Sequence, residues 1–515
     1  MTSVATRTED LSTLLARIPD PAIRSLFTPE FILCSEEFDR FTVDMLLKLV
    51  SDLGLTDVLS RGTTVGEVLA DRGWTPRAAI PVTWFFRKLA AEGELALEGS
   101  GADAVYRSRG TLPAGEPDRS EARSLALDPR SAPPFAVVRA MVEHVPAFLR
   151  GELSGEEVLF QPGKLPLWFD YFSNDNLLYQ INNRLGAEAV ARALPIGRPA
   201  DVVEIGGGSG SAALAVAERL ARDGALSRIR RYVFTEIVPT FLRRAERTIR
   251  SRWPALAAEF RKLDMDRNFA AQGVEPASAD VVYAVNTVHI ARDLAAALAR
   301  IRETLRPGGV AVFSECVRPF EGQPIYVEFV FNFLENFTGV ATDPATRPNH
   351  GFLTPENWRR SLAAAGFEKP EILPDVENLA KHYDAFFVAA VSARRPRSRP
   401  SFLDSRSGPV SIPLPGIGKE APDETDSQAE TRARSSGVEC CKPAKERPLG
   451  PRFPACPYRG TCLRNPSDAL RWRRLRLSAR SGIRCSVCFE RRSRWVDGGA
   501  PRVLRRPLRP NRQER

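Results

Sequence analysis

At 515 residues, 43% hydrophobic and 26% charged, the chain is too long for one ordinary domain and ample for two cores with appendages. Its formal net charge of +10 is uneven: from Pro396 onward 27 Lys and Arg face 12 Asp and Glu, net +15, which leaves residues 1–395 at −5. That weakly acidic body excludes the electrostatic footprint of a nucleic-acid binder, and no run of about 18 apolar residues offers a membrane span.

In chain order, residues 1–37 read as an N-terminal segment and residues 38–133 as a first, mainly helical domain. FDRFTVDMLLKLVSDLGLTDVL, from Phe38, repeats apolar residues at three- and four-residue intervals, as an amphipathic helix does. TTVGEVLADRG and PRAAIPVTWFFRKLAAEG give a helix pair, and ELALEG with AVYRSRG alternate as two short strands around Gly99 and Gly101. This is the pattern of a winged helix. Its recognition helix offers Arg77, Arg87 and Lys88 among Trp84, Phe85 and Phe86, which suits a buried dimer contact better than a phosphate backbone. Residues 134–191 predict a helical connector and substrate cap, with Trp168, Phe169, Tyr171, Phe172 and Tyr179 beside Asn174, Asn176, Asn182 and Asn183, an apolar lining with a few placed amides.

Residues 192–393 read as the domain that carries the chemistry. VVEIGGGSG is an apolar strand with Glu204, a loop with Gly206, Gly208 and Gly210, and then a helix, SAALAVAERLA. Glycine lets backbone approach a nucleotide-like cofactor. A dinucleotide site would want its third glycine where Ser211 stands. RYVFTEIVPTFL then predicts a second strand ending at Glu236, FRKLDMDRNF carries Asp264 and Met265, and ADVVYAVNTVHIARDL predicts a strand leading to Asn286 and His289. LRPGG reads as a turn before the strand VAVFSE, which ends at Glu315. A second aromatic cluster follows, Tyr326, Phe329, Phe331, Phe333 and Phe337, then a helix capped by Thr354 and Pro355 and stopped at Gly366. EILPD and YDAFFVAAV supply the last strands.

The glycine loop with Glu204 ahead of it resembles the first motif of class I S-adenosylmethionine-dependent methyltransferases. The resemblance implies a seven-strand, doubly wound α/β sheet of Rossmann type whose final strand enters antiparallel, with S-adenosylmethionine as cofactor. It implies that Glu236 accepts from the ribose hydroxyls, Asp264 from the adenine amino group, and that Met265 packs on the ring. Free-standing small-molecule members carry a winged helix for dimerisation, so a homodimer is implied, and a lid where the second aromatic cluster falls. The stretch 231–319 is similar to the carbon-methylating domains of modular polyketide synthases, and Asn286, His289 and Glu315 match their N-x-x-H and strand-end Glu.

Methyl transfer asks the protein to align an acceptor and remove its proton. Imidazole exchanges its proton near neutral pH, which fits His289 as base, and a carboxylate beside it, Glu315, would fix its tautomer. Of His144, His350 and His382, only His350 falls where it could reach a pocket. The acceptor, at carbon or at oxygen, is expected to be a small, rather apolar natural-product intermediate. The rival expectation is a winged-helix regulator that binds DNA and keeps the cofactor site, against which the acidic body speaks. With no basic and apolar leader at its start, the chain is expected to be cytoplasmic. From residue 394 a basic, disordered tail is expected, and its six cysteines, with no histidine, do not pair as a zinc site would require.

Overall fold

The structure is a computed structural model that describes residues 11–397, so the predicted tail lies outside the described residues apart from its first positions. The first long helix, α1 (Pro29–Asp52), starts earlier than the periodicity from Phe38 suggests. Thr28 caps it by accepting from the Phe31 N–H at 3.2 Å, with Pro29 in the first turn. It also stops earlier: Gly54 turns the chain with positive φ, and Thr56–Arg61 is a separate short helix.

β1 (Thr63–Thr64), α2 (Val65–Arg72), α3 (Ala79–Ala91), β2 (Leu95–Glu98) and β3 (Val105–Ser108) follow. The three strands form an antiparallel sheet in the order β1-β3-β2. α4 (Pro117–Leu127) lies along α1, where Ser120 donates to Asp44 at 2.9 Å and Arg123 pairs with Glu37 at 2.8 Å. Trp84, Phe85 and Phe86 are not available as a dimer contact, because the chain itself covers them. Trp84 Nε1 donates to Glu328 at 2.9 Å, Phe85 stacks on Phe329 with centroids 5.6 Å apart, and Phe86 meets Tyr106.

α5 (Ala132–Val142), α6 (Leu165–Tyr171) and α7 (Leu177–Ala193) lead to the main sheet. α7 crosses the expected domain boundary at 191 and packs on the sheet, so closely at Gly186 that a Cβ would lie 2.4 Å from the Tyr283 hydroxyl. The sheet comprises β4 (Ala200–Ile205), β5 (Ile229–Thr235), β6 (Ala258–Arg261), β7 (Ala279–Val285), β8 (Leu305–Cys316), β9 (Glu368–Leu373) and β10 (Val388–Arg394). Helices α8 (Ser211–Arg222), α9 (Pro239–Arg252), α10 (Leu294–Thr304) and α11 (Pro355–Ala364) join the strands. The order is β6-β5-β4-β7-β8-β10-β9, and β10 alone runs antiparallel to its neighbours. β4 and β7 are buried at every position, as strands covered on both faces must be. LRPGG is not a turn before β8 but a bulge inside it: Leu305 pairs with Ala279, and pairing resumes at Val310 with Val281. The chain leaves β4 toward β5 on one side and reaches β7 on the other, and the crevice at such a reversal is where open α/β sheets bind ligands. Among the described residues no helix is long and apolar enough to cross a membrane.

Candidate active site

A cavity of about 370 Å³ opens over the carboxyl ends of β4, β5, β7 and β8. Its first wall is the loop after β4. Gly206 takes φ +62°, and a Cβ there would stand 2.3 Å from Thr287, so the close approach of the two strand ends requires glycine. Gly208, also at positive φ, has no atom within 4 Å of an added Cβ and faces open space. Gly207, which the spacing did not single out, lines the cavity with them, whereas Gly210 does not: it precedes α8 and looks toward Ala245 and Ile249.

Two carboxylates stand under this loop. Glu236, just past β5, accepts from the Gly208 N–H at 2.9 Å and the Val238 N–H at 2.7 Å. Burial raises its carboxyl above the ordinary value, against the pull of those N–H groups. Glu204 is buried within β4 and accepts from the Tyr232 hydroxyl at 2.7 Å through one oxygen, while the other has no partner among the described residues. Burial pushes it up to about 8, the Tyr232 hydrogen bond opposing and nearby Glu236 adding to the rise. Asp264 and Met265 complete this end beyond β6, and the Asp264 backbone is clamped at both N–H and C=O by the Gln272 amide, at 2.8 and 2.9 Å.

Next to the loop, β7 and β8 present His289 and Glu315 together. His289 Nδ1 lies 2.7 Å from one Glu315 oxygen, and both side chains are buried. The other Glu315 oxygen accepts from the backbone of Val288 at 3.1 Å and Thr287 at 3.3 Å. One carboxylate therefore holds both the loop that carries the imidazole and the imidazole itself. With Nδ1–H donating to Glu315, Nε2 is left as the basic nitrogen, without a hydrogen-bond partner among the described residues. Phe352 packs on the ring, centroids 4.5 Å apart, and buried Arg347 donates to the carbonyls of His289 and Ala291. Burial lowers Arg347 to about 10, and nothing in its sequence context marks it as part of this support.

Asn286 lines the cavity in the left-handed region at φ +45°, a conformation that asparagine tolerates better than most residues. Its amide oxygen accepts from the Cys316 N–H at 2.8 Å, so the side chain ties the ends of β7 and β8 together. His350 pairs with Asn332 at 3.2 Å and stands outside the cavity wall.

The rest of the cavity is aromatic. Trp168, Tyr171, Phe172 and Tyr179 line it as expected, with Asn176, Asn182 and Asn183, but Asn174 instead bonds to the Ser211 carbonyl and Asn183, each at 2.8 Å. From the second cluster Tyr326, Phe331 and Phe337 reach the wall, while Phe329 and Phe333 turn to Phe85. Sequence reasoning missed Phe27, Phe31, Phe386 and Phe387. The i, i+7 spacing of Phe31 and Phe38 marks one face of α1, a signal for packing but not for a pocket.

Residues 203–311 match the methyltransferase domain family, and the whole arrangement superposes on the carbon methyltransferase CurJ with a TM-score of 0.61, at 20% identity over 76% of this chain and 98% of that one. The chain carries a class I methyltransferase domain. S-adenosylmethionine is the cofactor of such a domain, and the residues present fit it: open backbone at Gly208, carboxylates for hydroxyl and cationic groups, and a buried Glu204 oxygen that has no partner among the described residues. Among curated relatives, the highly reducing polyketide synthase frbB of Dothideomycetidae sp. is 31% identical over 47% of this chain and 9% of its own length. The methyltransferase calH of Penicillium decumbens is 29% identical over 48% of this chain and 63% of that protein. The chain thus spans less than two thirds of the curated relatives it matches. Outside the methyltransferase domain, the helices before residue 200 supply much of the aromatic wall.

Proposed function

We propose that the protein methylates the acidic carbon between a ketone and a thioester in a polyketide-like acyl intermediate, with His289 as general base. The carrying observation is the buried His289–Glu315 pair at 2.7 Å, set between the glycine loop and the aromatic chamber. Glu236 would take the ribose hydroxyls of S-adenosylmethionine, Asp264 and Met265 the adenine, and Glu204 the cationic amino-acid end. When bound, the cofactor supplies a methyl group on a positively charged sulfur. His289 Nε2 takes the proton from the acceptor carbon, and the C–H electron pair passes into the enolate. Ionised Glu315 balances the imidazolium that results, as an orienting acid does in other histidine-based sites. Asn286 acts as a positioning residue that keeps the ends of β7 and β8 in register.

Carbon is favoured over oxygen because the relatives include polyketide synthases and the acceptor side of the cavity is walled by rings, which suits an acyl chain. The helix pair and small sheet before residue 109 read as a winged-helix-like unit that packs on the stretch after β8, through Phe85 on Phe329, rather than on DNA.

The test offers the full chain labelled-methyl S-adenosylmethionine with a β-ketoacyl thioester in one reaction and phenolic acceptors in another. Label on the carbon beside the thioester is expected. Label only on phenolic oxygen would replace the acceptor, and no label on either would remove the reading.

A further inference from the structure

Exposed residues rim the cavity at Phe160 and Asn336 and, 46% and 38% exposed, at Ile237 and Val238 beside Glu236 and the glycine loop. A buried part of the wall is made by Phe27 and Phe386, each no more than 3% exposed, with ring centroids 4.7 Å apart. These two rings come from the segment before α1 and the turn before β10, and both line the same cavity as His289.

The sheet gives the depth between the base and these rings. His289 follows β7, Cys316 ends β8 directly after Glu315, and Cys316 pairs with Val388 at the start of β10. The Val317 N–H donates to the Phe387 carbonyl at 2.6 Å, which holds the turn carrying Phe386 against the end of β8. From β7 to β10 is two strand spacings, roughly 10 Å. The closing rings offer no hydrogen-bond partner, so a polar group pushed there would lose its water without compensation.

We infer that Phe27 and Phe386 are specificity-determining residues: they close the acceptor chamber and limit the acyl tail to the few carbons that fit between His289 and their rings. This rests on the acyl-acceptor reading above. A plain packing role for the two rings would affect stability alone and leave acceptor length untouched.

The test uses full-chain Phe27→Leu, Phe386→Leu and Ala385→Leu. The Leu replacements keep an apolar side chain where alanine could leave an unfolded protein. Ala385 is partly exposed in the same wall, and enlarging it fills the chamber. Calorimetry measures binding of β-ketoacyl thioesters with saturated tails lengthened stepwise, and of S-adenosylmethionine. In the parent, affinity should rise with tail length to an optimum and then fall. Phe27→Leu and Phe386→Leu should raise the ratio of long-tail to short-tail affinity about 10-fold, and Ala385→Leu should lower it, with cofactor affinity unchanged in all three. A parent that binds every length equally, or none, or variants with the parental length profile, would overturn the inference. Labelled-methyl transfer to the shortest acceptor runs in parallel. If the length profile shifts without transfer, the chamber wall stands and the acceptor chemistry falls.

Discussion

The cofactor end of the cavity is made of backbone and carboxylates, with Gly206, Gly207 and Gly208 between Glu204 and Glu236. The acceptor end is made of rings from the segment before α1, from α1, α6 and α7, from the stretch after β8 and from the turn before β10. At the first end a Cβ at Gly206 would collide with Thr287, so the geometry tolerates little change. At the second, one apolar side chain can stand in for another with only a change of shape. The same contrast predicts how each end responds to mutation: sharp losses of binding or turnover at one, graded shifts of preference at the other.

His289→Ala should break the comparison where the two ends meet, lowering turnover by 10²- to 10⁴-fold, the range for loss of a general base, while calorimetry shows cofactor affinity intact. Surviving turnover would move the base elsewhere. Glu315→Gln should cost on the order of 10²-fold in kcat, because an amide neither fixes the imidazole tautomer nor balances its charge. If kcat holds and only thermal stability drops, Glu315 serves solely to hold the Thr287–Val288 backbone. At the cofactor end, Glu236→Ala should weaken S-adenosylmethionine binding about 10-fold, as expected for lost hydrogen bonds to a charged group. The smallest effect is a pH dependence. Folded Glu204 keeps its proton up to about 8, whereas its ordinary carboxyl value is 4.5. The folded state therefore holds a proton that the unfolded state has lost, and stability should fall as pH rises from 4.5 toward 8. Glu204→Gln should flatten that part of the curve of Tm against pH, and curves that stay parallel would mean that Glu204 is already ionised when folded.

The two ends also differ in how much of them can be read from sequence. Strand, glycine turn and helix are neighbours in the chain, so VVEIGGGSG displays its own geometry, and the end of each parallel strand announces Glu236, His289 or Glu315. Apolar runs mark every strand of the large sheet except β6, whose neighbourhood is read only for Asp264 and Met265, and pairing is needed to show that LRPGG bulges within β8. The acceptor wall had no such local sign. Phe27 and Phe386 touch only because β10 inserts antiparallel beside β8 and the early helices fold back over the sheet. Trp84 and Phe85 were legible as an apolar helix face, but not their partners, Glu328 and Phe329, which lie far along the chain. Arg347 carries no pattern at all, since a buried arginine that braces a carbonyl looks in sequence like any surface arginine.

Glu328 joins the two halves of the chain: it accepts from Trp84 on α3 and pairs with Arg318 after β8. A transplant of this activity into another chain would have to respect that link. A piece cut at the start of the large sheet would carry the glycine loop and the His289–Glu315 pair but leave behind Phe27, Phe31, Trp168 and Tyr179, and it would expose Phe329 and Phe333 to water. The portable unit is therefore one piece, running from before Phe27 to the end of β10.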